Sequence, residues 1–140
     1  MGSMLAGMAF TNSPVAAVHA LAYPLGGHFH VPHGLSNALV LPHVLEFNMP
    51  EAEDQYAELA PVIFPELEGK SLREKIDGML KGIARFSPDL GLETTLREVG
   101  VKESDLEMLA EDSMKQTRLL VNNPREVTYE DALAIYTKAF

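Results

Sequence analysis

The sequence predicts an all-α protein folded as a helical bundle. Apolar residues recur every three to four positions in segments such as SLREKIDGMLKGIARF, which is the spacing of one helix face. Capping patterns stand before two such segments, at Ser71 with Glu74 and at Thr128 with Asp131. The stretch ALVL, residues 38–41, is the place where a central strand is the alternative to a helix.

The start of the chain predicts two apolar helices. The segment GSMLAGMAF is rich in small residues and Met, so it is expected to form a buried first helix, and the Ser13-Pro14 pair begins the second. Pro24 and the glycine pair at 26–27 are expected to end that second helix. Residues 28–32 then form an extended loop, since a residue before proline avoids the α conformation.

The remaining helices are predicted from His33 onward. The helix that begins at His33 is expected to kink near Pro42. Ordinary amphipathic helices follow, with a loop at 87–92, a stop at Gly100 and an N-terminal cap at Ser104. These helices are predicted over residues 50–64, 71–86, 93–100, 102–120 and 129–140.

Composition excludes several classes of function. The chain has 20 acidic and 11 basic residues and a net charge of -9, so it offers no basic patch for nucleic acid. It contains no cysteine, which excludes disulfides and thiolate metal sites and fits a cytoplasmic protein. No uninterrupted apolar run reaches the length of a membrane span, so no membrane partner is expected.

Charge is distributed unevenly along the chain. Residues 1–45 contain no Asp, Glu, Lys or Arg, and the first charged residue is Glu46. A charge-free third has to be covered, because soluble domains rarely expose large apolar surfaces. The later helices could wrap it, but we expect that the chain is a piece of a longer polypeptide or one face of a homo-oligomer. Its beginning does not look like a natural terminus.

The histidines are concentrated in one short segment. Four of the five lie within residues 18–34, and His43 follows shortly after. On a helix, His19 and Tyr23 share a face, and the loop that follows can return His33 to the same point. Two converging neutral imidazoles are the usual beginning of a metal site. Two ligands fall short of the three that a catalytic metal needs, however, and no acidic residue lies nearby.

A structural interpretation of these histidines stays open beside the metal hypothesis. A single histidine is more often a hydrogen-bonded structural residue than a metal ligand. His28 and His30 can point to solvent from a loop, and His43 can be a satisfied core residue next to Pro42.

The segment HALAYPLGGHFHVPHGLSNALVLPHVLEFN resembles the histidine-rich signature of the iron-containing (group III) alcohol dehydrogenases. The segments SLREKI, LREVGVKESDLEMLA and NNPREVTYEDALAIY resemble the rest of the family's C-terminal helical domain, which is dehydroquinate synthase-like. The resemblance covers essentially the whole chain. It implies that residues 1–140 form a single all-α, metal-binding C-terminal domain, and that the N-terminal nucleotide-binding domain is absent from this chain.

The resemblance also implies a reaction and its site. Family members interconvert an alcohol and an aldehyde or ketone with NAD or NADP, which is bound mainly by the missing N-terminal domain. A divalent metal, usually Fe²⁺ and sometimes Zn²⁺, would be bound here by His19 and His33, with further ligands from upstream. Tyr23 stands where many members have a third histidine near the nicotinamide and substrate. It is the catalytic candidate, although tyrosine is a poorer base near neutral pH.

Two alternatives to this function remain. In one, the chain belongs to an enzyme like the maleylacetate reductases, which share the fold and use no metal, and its histidines bind substrate. In the other, it is a helical interaction module whose histidines are structural and whose charge-free face binds a partner chain. In every case the isolated chain is expected to lack dehydrogenase activity.

Overall fold

The computed structural model describes residues 1–140 and is all α, which confirms the predicted fold class. It has no strand, and the ALVL segment is helical, so the strand alternative is wrong. Short 3₁₀ turns cover residues 65–67, 97–99 and 103–105. The seven α-helices are α1 (Gly2–Asn12), α2 (Ala17–Phe29), α3 (His33–Ile63), α4 (Leu72–Asp89), α5 (Leu106–Met114), α6 (Thr117–Leu120) and α7 (Tyr129–Ala139).

Helix α2 lies at the centre of the bundle. It packs against α3, α5 and α6, while α7 closes over α3 and α5. Their facing side chains form the main core, a cluster of 20 buried apolar residues that includes Leu21, Leu25 and Val40. The buried hydroxyl of Tyr136 donates a hydrogen bond of 2.7 Å to the carbonyl oxygen of Leu21. This bond fixes α7 to the middle of α2.

A second, minor core lies between α4 and the C-terminal half of α3, and it contains six buried residues. Helix α3 bends at Ala52, whose backbone has φ -128° and ψ 20°. The predicted kink at Pro42 is therefore wrong. Around Pro42 the helix is held on the main core by Leu39, Val40 and Val44, which are almost fully buried. Proline at 50 cannot donate to the preceding turn, which loosens the helix just before the bend.

The predicted end of α2 is also wrong. The helix passes through Pro24 and the glycine pair and ends only at Phe29, and His30 then adopts a left-handed backbone with φ 54°. Pro24 and Leu25 are buried in the bundle. Burial of this turn against α3 and α5 compensates for a proline in the helix interior, which costs about 3 kcal/mol in an exposed helix. The connecting loop is consequently only residues 30–32.

Caps that depend on local sequence are confirmed in two of four cases. The Ser13-Pro14 pair does not begin the second helix, because α2 starts only at Ala17 and its N-cap residue is Ala16. The Ser71–Glu74 and Thr128–Asp131 pairs both form reciprocal capping boxes. Ser104 does not cap a helix, because it lies inside the 3₁₀ turn at 103–105.

Other boundaries differ from the predictions in part. The helix predicted over 93–100 is wrong, because only the 3₁₀ turn at 97–99 forms there. That turn ends at Gly100 as predicted, and the φ of 89° suits glycine. Helix α4 continues through Ser87 and Pro88 to Asp89, so the predicted loop begins later than expected. The predicted helix over 102–120 is divided into α5 and α6 by a break at residues 115–116.

The expected burial of the first helix is wrong: α1 buries none of its residues, whereas every other α-helix buries at least one. Met4, Leu5, Met8 and Phe10 are each 54–60% exposed. The main core therefore covers α2 and the beginning of α3, but it leaves the first helix of the charge-free third uncovered. No helix combines the length and the hydropathy that a membrane span requires.

Candidate metal site

His19 and His33 are brought together by the short connection between α2 and α3. His19 lies within α2, and His33 is the first residue of α3, directly after Pro32. The left-handed backbone at His30 reverses the chain, and the buried side chain of Val31 anchors the reversal on the main core. The two imidazole centroids are consequently 5.1 Å apart, with an angle of 54° between the rings.

Tyr23 completes a cluster of three rings. It lies one helical turn after His19, and its ring meets that of His19 edge-on, at 86° and 6.3 Å between centroids. The Tyr23 centroid is 6.1 Å from that of His33. The His19–Tyr23–His33 cluster thus draws on two helices that are separated in sequence by a turn.

The cluster is open to solvent on one side. His19 is half-buried, whereas Tyr23 and His33 are exposed. Burial lowers the pKa of His19, and the like charge that His33 carries when protonated lowers it further. The neutral imidazole is the form that binds metals, so this environment favours the ligand state of His19.

The separation of the two rings fits a shared metal ion. A Zn–N bond of about 2.0–2.1 Å places an ion about 3.2 Å from each ring centroid, so a tetrahedral angle sets the two centroids about 5 Å apart. The observed distance is 5.1 Å. No group of three or more His, Cys, Asp or Glu side chains in the chain could hold an ion. The residues present therefore fit one half of a metal site.

Asn37 is a site residue that sequence reasoning missed. Its side-chain nitrogen Nδ2 lies 3.1 Å from Nε2 of His33 and donates a 2.9 Å hydrogen bond to the backbone oxygen of His33. Its side-chain oxygen is buried and has no hydrogen-bond partner. The signal in the sequence was the spacing of four residues from His33, which places both side chains on one helix face.

The whole chain matches one protein family. The family described as "Fe-containing alcohol dehydrogenase family, C-terminal" covers residues 1–140. The chain belongs to the iron-containing alcohol dehydrogenases. It is 37% identical over 138 residues to 1,3-propanediol dehydrogenase of Klebsiella pneumoniae and 41% identical over 139 residues to long-chain-alcohol dehydrogenase 1 of Geobacillus thermodenitrificans. In each case 99% of this chain aligns with 35% of the relative, so the chain spans about a third of their length.

A solved structure of the family has the same fold. The structure of a 1,3-propanediol oxidoreductase superimposes with a TM-score of 0.91 at 37% identity, and it covers 99% of this chain and 36% of that protein. The resemblance seen in the histidine-rich segment is therefore confirmed for both family and fold.

The other three histidines of this iron-containing alcohol dehydrogenase domain lie outside the three-ring cluster. His28 is on α2, not in a loop as expected, and its ring forms an exposed hydrogen bond with the carboxylate of Asp112 on α5. Lys115, and then His28, lower the pKa of Asp112 through hydrogen bonds. His30 is exposed in the turn. His43 is half-buried on α3, where burial lowers its pKa more than the nearby carboxylate of Glu46 raises it.

Proposed function

We propose that residues 1–140 are the single, metal-binding C-terminal domain of an NAD- or NADP-linked alcohol dehydrogenase. The full enzyme would interconvert an alcohol and an aldehyde or ketone, with the nucleotide bound mainly by an N-terminal domain outside this chain. The observation that carries the proposal is the 5.1 Å approach of His19 and His33 from two helices. Similarity to 1,3-propanediol and long-chain-alcohol dehydrogenases supports the substrate class.

His19 and His33 would hold the divalent metal, Fe²⁺ or Zn²⁺, as neutral imidazoles. When bound, such a metal supplies Lewis-acid polarisation of a substrate oxygen, and the nicotinamide exchanges the hydride. The half-buried position of His19 excludes water from one side of its ring. The exposed edge of His33 leaves room for ligands from outside this chain, which a catalytic site with three protein ligands requires.

Tyr23 would form a wall of the site beside the reacting oxygen. Its ring lies 6.1–6.3 Å from both imidazole centroids, and part of it is exposed. A phenol hydroxyl can donate a hydrogen bond to the substrate oxygen, but it is a weaker base than imidazole. Tyr23→Phe in the full enzyme should therefore lower kcat, and Tyr23→His should retain activity.

Titration with zinc tests the metal assignment. We expect the chain to bind zinc in the micromolar range or more weakly, because two imidazoles form only half of a site. His19→Ala and His33→Ala should each remove this binding, whereas the control His30→Ala should leave it unchanged. In the full enzyme the first two variants should also lose turnover. Turnover that persists in both would contradict the role given to these histidines, whereas full turnover of the unsubstituted enzyme without bound metal would support the metal-free, maleylacetate reductase-like alternative.

We further propose a cytoplasmic, homo-oligomeric enzyme that binds neither nucleic acid nor membranes. The net charge of -9 disfavours a nucleic-acid partner, and no helix is suited to span a membrane. The exposed apolar side chains of α1 support association with a further surface. The chain by itself should show no NAD(P)H turnover with any alcohol or aldehyde, and robust turnover would contradict the proposed division of labour between two domains.

A further inference from the structure

We infer that Asn37 is a positioning residue that selects the tautomer of His33 and presents its Nε2 lone pair. This inference rests on the proposed function, since the lone pair matters only if His33 binds a metal. Asn37 lies one turn after His33 on α3, and its amide nitrogen contacts both the backbone oxygen and the ring nitrogen of that same residue. No other side chain or backbone group hydrogen-bonds the His33 ring.

The orientation of the Asn37 amide follows from its partners. The backbone oxygen of His33 can only accept, so the amide group 2.9 Å away must be the NH₂. A flipped amide would set its oxygen against that carbonyl oxygen. The second hydrogen of the same NH₂ is then directed at Nε2 of His33, 3.1 Å away. Both amide hydrogens therefore donate to His33, one to its backbone oxygen and one to Nε2.

This arrangement determines where the ring proton lies. Because the amide donates to Nε2, that nitrogen must carry a lone pair, and the proton of the neutral ring must be on Nδ1. The side-chain oxygen of Asn37 is buried without any partner, so the amide is not held in place by bonds to its own oxygen. An ion that approaches Nε2 has to replace one amide hydrogen, while the bond to the backbone oxygen can persist. Asn37 thus holds the ring ready in the ligand tautomer.

Nitrogen NMR of the neutral, metal-free chain tests the tautomer. In the neutral ring, the proton of His33 should be on Nδ1. Asn37→Ala should give a mixture of tautomers. Asn37→Asp should reverse the preference to Nε2–H, because a carboxylate can only accept. Asn12→Ala is the matched control, since it removes a similar bond from an amide to the backbone oxygen four residues earlier, on α1, and it should change nothing.

Zinc titration of the same variants tests the consequence. The amide occupies the same Nε2 lone pair that zinc would use, so Asn37→Ala removes both the tautomer preference and a competing hydrogen bond. Zinc affinity should therefore change by less than about tenfold. The thermal unfolding of Asn37→Ala and that of Asn12→Ala should stay close to the unsubstituted chain. An Nε2–H tautomer in the unsubstituted chain, an unchanged tautomer in Asn37→Ala, or a change in its zinc affinity of more than about tenfold would overturn the inference. Failure of the unsubstituted chain to bind zinc would count against the proposed function, whereas the tautomer decides the role of Asn37 separately.

Discussion

Helices α1 and α2 come from the same charge-free third of the chain and have opposite fates. They are 11 and 13 residues long, and neither contains any Asp, Glu, Lys or Arg. Helix α2 buries six residues in the middle of the bundle, whereas α1 buries none. Apolar composition alone therefore does not decide which helix enters the core. The neighbours of α2, namely α3, α5 and α6, decide it.

This difference explains where a site can be built. His19 and Tyr23 lie on the helix whose position the main core fixes on several sides. Side chains on such a helix keep their directions, which is what a metal site needs from its ligands. Helix α1 has an apolar surface but is not packed against the main core. It is therefore better suited to contact with another protein surface than to a catalytic site. The predictions below test this division between the two helices.

Truncation of a core leucine should show the largest contrast. Leu21 is fully buried in α2, whereas Leu5 on α1 is 54% exposed. Leu21→Ala should lower the free energy of unfolding by about 2–5 kcal/mol, because it leaves a cavity in the main core. Leu5→Ala should change it by no more than about 0.5 kcal/mol. Urea denaturation of both variants measures this, and similar losses in the two would mean that α1 is packed in solution.

Self-association through α1 is the next largest effect expected. The exposed side chains of α1 should bring copies of the chain together at tens of micromolar. The double variant Leu5→Glu with Met8→Glu should raise the dissociation constant of this association by about tenfold or more. A tenfold change corresponds to a loss of only about 1.4 kcal/mol of binding free energy. Analytical ultracentrifugation measures it. A clean monomer without the substitutions would contradict the role given to α1.

Loss of the hydroxyl that anchors α2 should have a smaller effect. Tyr136→Phe removes the 2.7 Å bond to the carbonyl oxygen of Leu21. The free energy of unfolding should fall by about 1 kcal/mol, the usual net contribution of one hydrogen bond. Tyr129→Phe is the matched control, since the hydroxyl of half-buried Tyr129 forms no hydrogen bond within the chain. Equal effects in chemical denaturation would show that the bond does not hold α7 to α2.

The parts of this fold that were predictable from sequence are those set by local chemistry. The capping boxes at Ser71 and Thr128 depend on residues three positions apart, and both are present. The continuation of α2 through Pro24 to Phe29 was not predictable, because burial against other helices outweighs the local cost of the proline. Likewise the bend of α3 falls at Ala52, where the main core gives way to the minor core.

The site divides in the same way. The spacing of His19 and Tyr23 gave their shared helix face, and the signature segment gave His33 as their partner. Asn37 could not be identified as a site residue, since its contact with the His33 ring depends on side-chain rotamers. The metal role of the two histidines stays a prediction, because the comparisons establish family and fold but not ligands.

The pH dependence of stability should be the smallest effect. Burial lowers the pKa of His43, so its neutral form is favoured in the folded chain. As the pH falls, the unfolded chain takes up this proton first, near its ordinary value of about 6.5. The stability that His43 contributes is therefore present above about pH 6.5 and is lost as the pH falls from there toward the lowered folded pKa.

Denaturation between about pH 7.5 and 5.5 measures this loss, which should stay below about 1 kcal/mol for one proton. His43→Gln should flatten the dependence in part. His19, whose pKa is lowered in the same direction, should provide the remainder. Stability that rises as the pH falls through this range would contradict the sign.

Proton NMR of the chain titrated with cobalt(II) tests the metal site most directly. A paramagnetic ion shifts and broadens the imidazole signals of its own ligands, so the spectrum names the histidines that bind. The 5.1 Å separation of the rings predicts that His19 and His33 respond together and first, while His28, His30 and His43 keep their positions. Asn37 should respond with them, because its amide contacts the His33 ring. A first response at His28 or His30, or from only one of His19 and His33, would contradict the shared site.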